Sequence, residues 1–283
     1  MATPPHANRT QTERTHSKIG MRAIPPLMTS ILETFKLDDR IALVTGAATG
    51  LGAEIAIGLA EAGAQVVCHG NSRSPEDTCR KIQAAGGVAH PVTGDLGQQQ
   101  TPKHLMSGVL DRFGRIDILI NNAGTIRRSP AVDYSEEDWT TVLEVNLSSV
   151  FRLSQLAGKS MIESDRGGKI VNIASLLSFQ GGITVPAYAA SKGGVAQLTK
   201  ALANEWAKHR VNVNAIAPGY MRTTNTAALQ ADENRNRQIL ERIPAGRWGE
   251  ASDVAGAAVF LSSAASDYVN GHILLVDGGW MGR

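Results

Sequence analysis

The sequence predicts an α/β protein: one doubly wound domain around a parallel, seven-stranded sheet. Three observations predict it. From residue 40 onward, short β-branched runs alternate with longer stretches of helical period, the rhythm of βαβ units with right-handed crossovers. Several of these runs are apolar without alternation, as strands are when helices cover both sheet faces. The first run passes directly into a glycine-rich turn and then a helical pattern, Thr45-Gly46-Ala47-Ala48-Thr49-Gly50-Leu51-Gly52.

The elements follow in order. Strands are expected at residues 41–45, 65–68, 88–93, 116–120, 169–174, 211–217 and 273–276. Helices are expected from the glycine turn to about 62, then at about 75–85, 101–113, 135–163, 188–209 and 251–262. Residues 1–35 are rich in Thr, Pro, Arg and Ser, lack apolar periodicity and read as a disordered leader. The domain is then expected over 36–283. One segment breaks the rhythm: residues 220–250 are long and polar, between the sixth strand and the last helix. An insertion at the carboxyl edge of a sheet is the usual place for a substrate loop or lid.

Composition excludes several classes. The chain is 42% hydrophobic and 19% charged, enough for a packed core. Its formal charge is +2, but the first 30 residues carry Arg9, Arg14, Lys18 and Arg22 against Glu13 alone, which leaves the body slightly acidic. With 5% aromatic residues and no basic clustering on the body, no nucleic-acid partner is expected. No uncharged apolar run reaches the roughly 18 residues a membrane span needs. No apolar signal region opens the chain, so the cytoplasm is the expected compartment. Two cysteines, Cys68 and Cys79, are too few for a disulfide scaffold or a thiolate zinc site, and no metal is expected.

The glycine turn suits a dinucleotide. Glycines between strand and helix let the backbone approach a pyrophosphate lying on the helix N-terminus. The end of the second strand selects the cofactor, since an acid there holds ribose hydroxyls whereas an arginine takes a 2′-phosphate. Here the stretch is Val67-Cys68-His69-Gly70-Asn71-Ser72-Arg73, with glycine in the acidic place and Arg73 nearby. These residues leave NAD and NADP open. Asp95 and Leu96, after the third strand, are placed to hold an adenine amine. Asn121-Asn122-Ala123-Gly124 closes the fourth strand at the crevice where open α/β sheets bind ligands.

Tyr188 and Lys192 stand four apart on a helix and so share a face. Ser175 follows the fifth strand at the carboxyl edge, and Asn146 lies inside the helix expected at 135–163. Oxidising an alcohol needs a base for the hydroxyl proton. A phenol with a pKa near 10 serves only if neighbouring positive charge stabilises the phenolate. Lys192 offers that charge, Ser175 a donor to the substrate oxygen, and Asn146 a water-ordering amide.

In order and spacing, the glycine turn, NNAG at 121–124, Asn146, Ser175, YxxxK at 188–192 and Pro218-Gly219 resemble the short-chain dehydrogenase/reductases, a Rossmann-type family, over about residues 37–283. The resemblance implies Tyr188 as catalytic acid/base, Lys192 as its modulator and ribose ligand, Ser175 as substrate-oxygen donor and Asn146 as relay. It implies cofactor contacts from Thr45, Gly46, Gly50, Leu51, Gly52, Asn71, Arg73, Asp95, Leu96, Asn121, Ala123, Gly124, Pro218, Gly219, Met221 and Thr223. Thr125-Ile126-Arg127-Arg128, Asn204-Glu205-Trp206 and Gly246-Arg247-Trp248-Gly249 further resemble the family's sugar-acid branch, the 2-dehydro-3-deoxy-D-gluconate 5-dehydrogenases. That likeness implies hydride transfer between a nicotinamide cofactor, generally NAD, and a secondary alcohol or ketone of a sugar acid, in a homotetramer. The alternatives are gluconate 5-dehydrogenase or another polyol or ketoacyl reductase, and more remotely a non-catalytic cofactor-binding protein.

The residues themselves favour an acidic substrate. A guanidinium fork suits a carboxylate bidentately. Arg127 or Arg128, after the NNAG turn, is expected to clamp it, aided by Arg222 or Gln180. The competing reading pairs the two arginines with Asp133 or Glu136 on the surface. Trp248 and Trp280 read as packing residues.

Overall fold

The computed structural model describes residue 1 and residues 30–283 of the chain. Seven strands make one sheet: β1 (Ile41–Val44), β2 (Gln65–Gly70), β3 (Val88–Thr93), β4 (Ile118–Asn121), β5 (Gly168–Ile173), β6 (Val211–Pro218) and β7 (Ile273–Val276). They lie in the order β3-β2-β1-β4-β5-β6-β7, all parallel. Each expected strand is present, its ends differing by a residue or two.

Around the sheet lie α1 (Gly50–Glu61), α2 (Glu76–Ala84), α3 (Thr101–Phe113), α4 (Glu136–Leu143), α5 (Ser149–Glu163), α6 (Pro186–Trp206), α7 (Ala227–Ala231), α8 (Glu233–Arg242) and α9 (Ser252–Ser262). Period-two alternation sends Ala42 and Val44 to one face with Ile55, Leu59 and Leu261, and Leu43 to the other with Met106, Leu153 and Met161. Because both faces are covered, strands need no polar side, and β1 and β4 are buried throughout. Each fully buried Leu, Ile or Val contributes about 1.5–3 kcal/mol relative to exposure. The strand order reverses between β1 and β4, which opens a crevice at their carboxyl ends.

Three expectations change. Residues 31–35 were expected in the leader but form a 3-10 helix, capped by Ser30, whose Oγ accepts from the Leu32 N–H. Phe35 there meets the Phe260 ring, so this short helix packs on the domain. The remaining leader expectation falls on residues 2–29, outside the described residues. The helix expected at 135–163 is interrupted by a π turn, Glu144–Ser148. The segment 220–250, expected as a loop, carries α7 and α8, since Ile239, Ile243 and Trp248 supply a buried apolar side that its polar composition hides. Among the described residues, no helix is long and apolar enough to cross a membrane, and no group of three His, Cys, Asp or Glu residues could hold a metal ion.

Candidate active site

The glycine loop is held by the side chains of Thr45 and Asn122. Thr45 is 1% exposed. Its hydroxyl donates to the Ile120 carbonyl at 3.2 Å and accepts from the backbone N–H groups of Asn122 and Ala123, both at 3.0 Å. The Asn122 amide donates to the carbonyls of Thr45 (2.8 Å) and Gly46 (3.1 Å). Thr45 therefore pins the loop to β4. A Cβ at Gly52 would stand 2.2 Å from the Gly46 carbonyl oxygen, so the loop closes over α1 only without a side chain there. Gly50, Leu51 and Gly52 form the head of α1, whose free N–H groups suit an anion.

Sequence reasoning missed the next support, His69. The Gly46 N–H donates to His69 Nδ1 at 3.3 Å, and Nε2 lies 2.9 Å from the Gly94 carbonyl. Only a neutral ring with its hydrogen on Nε2 satisfies both partners. Burial lowers the His69 pKa, which favours that form. The available signal was a polar residue directly after the apolar run Val66-Val67-Cys68.

A crevice of about 810 Å³ is lined by the predicted Gly46, Asn71, Asp95, Leu96, Ala123 and Gly124, joined by His69, Gly97 and Thr141. Asp95 Oδ1 accepts from the Asn71 amide (3.2 Å) and the Gly97 N–H (2.9 Å), so it caps its own turn while lining the wall. Thr223 faces the glycine loop: a Cβ added to Gly50 would lie 3.8 Å from the Thr223 methyl. Arg73 is exposed on the loop after β2. Pro218 ends β6, and the Gly219 N–H donates to Val276 at 2.9 Å. Asn121 is 3% exposed; its amide donates to Ser154 and Asn172, tying β4 to β5 and α5, while its Oδ1 has no hydrogen-bond partner among the described residues. Met221 is buried and lines a separate cavity of about 240 Å³. The residues present fit a nicotinamide dinucleotide: a side-chain-free cradle, a helix N-terminus and a deep crevice at the switch point. The chemistry such a cofactor supplies is hydride transfer.

At the other end, Ser175 caps a short 3-10 helix, Leu176–Ser178, accepting from the Leu177 N–H. Its hydroxyl hydrogen-bonds Tyr188, at the start of α6. Lys192 is buried one turn on; its Nζ donates to the Ile173 carbonyl at 2.6 Å and lies 5.6 Å from the Tyr188 ring centroid. Burial pulls the Lys192 pKa down to about 8. Burial also pushes the Tyr188 pKa up, while the Ser175 hydrogen bond and the Arg128 charge pull it down. Ser175 and Arg128 thus oppose the effect of burial on Tyr188, and Lys192 stands one turn away on the same helix. A neutral phenol can donate a proton, and the Ser175 hydroxyl acts on it.

Asn146 explains the π turn. Its Oδ1 accepts from the Thr125 N–H (2.8 Å), and its Nδ2 donates to the Thr125 carbonyl (2.9 Å) and Ser191 Oγ (3.2 Å). The Asn146 side chain thus joins the NNAG loop to α6. That loop presents two arginines unequally. Arg127 bonds Asp138 (3.3 Å) and Thr125 Oγ1 (2.8 Å), so the pairing alternative holds for it, with Asp138 rather than Asp133 or Glu136. Among the described residues Arg128 has no ion-pair partner, and its charge is felt by Tyr188. Arg222, half exposed, pairs with Glu250 at 3.0 Å. Gln180 accepts from the Trp280 ring N–H at 3.4 Å.

Fold, glycine cradle and Ser-Tyr-Lys site together define a nicotinamide-dependent oxidoreductase, and the chain belongs to the short-chain dehydrogenase/reductase family. Residues 46–281 match the family model described as enoyl-(acyl carrier protein) reductase. The chain is 52% identical over 253 residues to 2-dehydro-3-deoxy-D-gluconate 5-dehydrogenase of Dickeya dadantii, covering 89% of this chain and 100% of that one. It is 53% identical to the enzyme of the same name from Escherichia coli over the same shares. A crystal structure of a provisionally assigned 2-deoxy-D-gluconate 3-dehydrogenase from Agrobacterium tumefaciens with bound NADP is 57% identical, with a TM-score of 0.84 over 88% of this chain and 99% of that one. Gluconate 5-dehydrogenase of Burkholderia cenocepacia in complex with NADP and tartrate is 39% identical, with a TM-score of 0.84 over 89% and 99%.

Proposed function

We propose that the chain interconverts a secondary alcohol and a ketone of a sugar acid, as a 2-dehydro-3-deoxy-D-gluconate 5-dehydrogenase. The observation that carries this reading is Arg128, a cation with no ion-pair partner among the described residues, whose charge reaches the Tyr188 hydroxyl. A carboxylate bound there leaves the sugar chain to run toward Ser175 and Tyr188. Relatives of that name and a relative's tartrate complex support an acidic, hydroxylated substrate.

NADP is the coenzyme read as preferred, against the NAD that the resemblance implied. A Cβ at Gly70 would stand 2.2 Å from the Arg73 carbonyl oxygen, so the loop as folded has no room for the acid that holds ribose hydroxyls. Arg73 and Asn71 are exposed beside it, and two related structures hold NADP. A cytoplasmic homotetramer completes the reading. Exposed Phe151 on α5 and Leu275 on edge strand β7 suit subunit contacts, and two free cysteines suit a reducing compartment.

The test is turnover. The purified protein is assayed with sugar acids, neutral polyols and acyl thioesters against each coenzyme, by nicotinamide absorbance. Sugar-acid turnover that Tyr188→Phe abolishes, with coenzyme binding kept, is the expected result. Turnover of acyl thioesters alone, or wild-type kcat in Tyr188→Phe, overturns it.

A further inference from the structure

An aromatic block ties the substrate segment to the far end of the chain. The Trp248 ring N–H donates to Asn236 Oδ1 on α8 at 2.7 Å. The Trp280 ring N–H donates to Gln180 Oε1 at 3.4 Å. Trp280 is 4% exposed; the Arg242 guanidinium, at the end of α8, lies 4.1 Å over its ring, and Tyr220 packs against it at 4.7 Å between centroids. The indole is therefore held on several sides and its N–H has a set direction.

Gln180 lies close to the chemistry. It follows Ser175 by five residues, and its N–H donates to the Leu176 carbonyl at 3.1 Å, so it closes the turn that Ser175 opens. An unrestrained amide can offer either its oxygen or its NH₂. With the oxygen engaged by the indole, Gln180 has its two N–H donors left. Donors are what a carboxylate, which only accepts, requires. We propose that Trp280 is a positioning residue that fixes the Gln180 amide as a donor to the substrate, a role that rests on the sugar-acid reading above. The sequence suggested Gln180 as a substrate residue and Trp280 as packing; the hydrogen bond makes them one unit.

Trp280→Phe keeps the ring and removes the N–H. It is expected to raise KM for the sugar acid about three- to ten-fold, the effect of one hydrogen bond, with kcat and coenzyme affinity unchanged. Gln180→Leu is expected to do the same, and the double variant no more than either alone. Gln180→Glu can still accept the indole N–H but has no donor, so it is expected to raise KM more for the acid than for a neutral polyol. Wild-type KM in Trp280→Phe, additive effects in the double variant, or unchanged acid KM in Gln180→Glu overturns the proposal; the last arm stands even if Trp280→Phe does not fold. A wild type inactive on every sugar acid sinks the substrate reading instead. The same variants are then assayed on whichever substrate it does use, where unchanged KM overturns the positioning role.

Discussion

Replacing Arg128 by alanine removes a guanidinium that acts on Tyr188 and that no carboxylate engages among the described residues. Arg127 is the internal control, being next in sequence and already bound to Asp138 at 3.3 Å with 45% of its side chain exposed. A hydrogen bond to a charged partner is worth about 1.5–3 kcal/mol. At roughly 1.4 kcal/mol per tenfold, Arg128→Ala is expected to lower kcat/KM for a sugar acid about ten- to a hundred-fold. Arg127→Ala breaks an exposed ion pair, worth about 0–1 kcal/mol, and is expected to cost no more than a few-fold. A second consequence follows from the same charge. Arg128 draws the Tyr188 pKa down, so its removal moves the Tyr188-controlled limb of the pH–rate profile to higher pH. The assay is steady-state kinetics of both variants on a sugar acid and on a polyol of the same length without the carboxylate, across pH. Equal losses on the two substrates, or Arg127→Ala doing as much damage as Arg128→Ala, would refute the clamp.

Three further outcomes are expected. Burial lowers Lys192 from 10.5 to about 8, so folding bears the whole charge penalty below pH 8 and sheds it as pH rises toward 10.5. Lys192→Met should abolish turnover yet exceed the wild type in stability at pH 7, by about 3 kcal/mol at most. Thermal melts should show the gap closing by pH 10.5, and a pH-independent gap rules the account out. The His69 pKa lies below its ordinary 6.5 through burial, so its neutral form carries no penalty above that value. As pH falls below 6.5 the unfolded chain gains a proton that the folded ring excludes, and both stability and coenzyme affinity should decline. Coenzyme titrations should show His69→Asn with a flatter slope, and equal slopes count against the tautomer argument. Gly70→Asp places a Cβ 2.2 Å from the Arg73 carbonyl, so it should destabilise by about 1–3 kcal/mol rather than convert the enzyme to NAD. A stable, NAD-selective variant contradicts it.

Strand positions were legible because burial on both faces leaves a local trace. β5 reads Gly-Lys-Ile-Val-Asn-Ile, and its last five residues are buried. The glycine turn was legible because close backbone approach demands glycine regardless of context. Tyr188 and Lys192 were legible because helical spacing alone puts them together. The π turn was not. Val, Asn and Ser are weaker helix formers, but that does not specify a π turn, and the Asn146 amide at its centre bonds the Thr125 backbone, distant in sequence.

The same reasoning applies at the crevice, where residue type does not tell what the fold has taken up: Thr45 bonds the β4 backbone, Asn121 bonds Ser154 and Asn172, and Arg222 pairs with Glu250. A side chain can recognise a ligand only with donors or charge that the fold has not used. That property is a difference between what a residue carries and what its neighbours take, and its neighbours are distant in sequence. Arg127 and Arg128 are identical and adjacent, so no sequence rule could rank them. Asp138 ranks them, by occupying one and leaving the other to act on Tyr188. Trp280 ranks the two ends of the Gln180 amide in the same way, a hundred residues away along the chain.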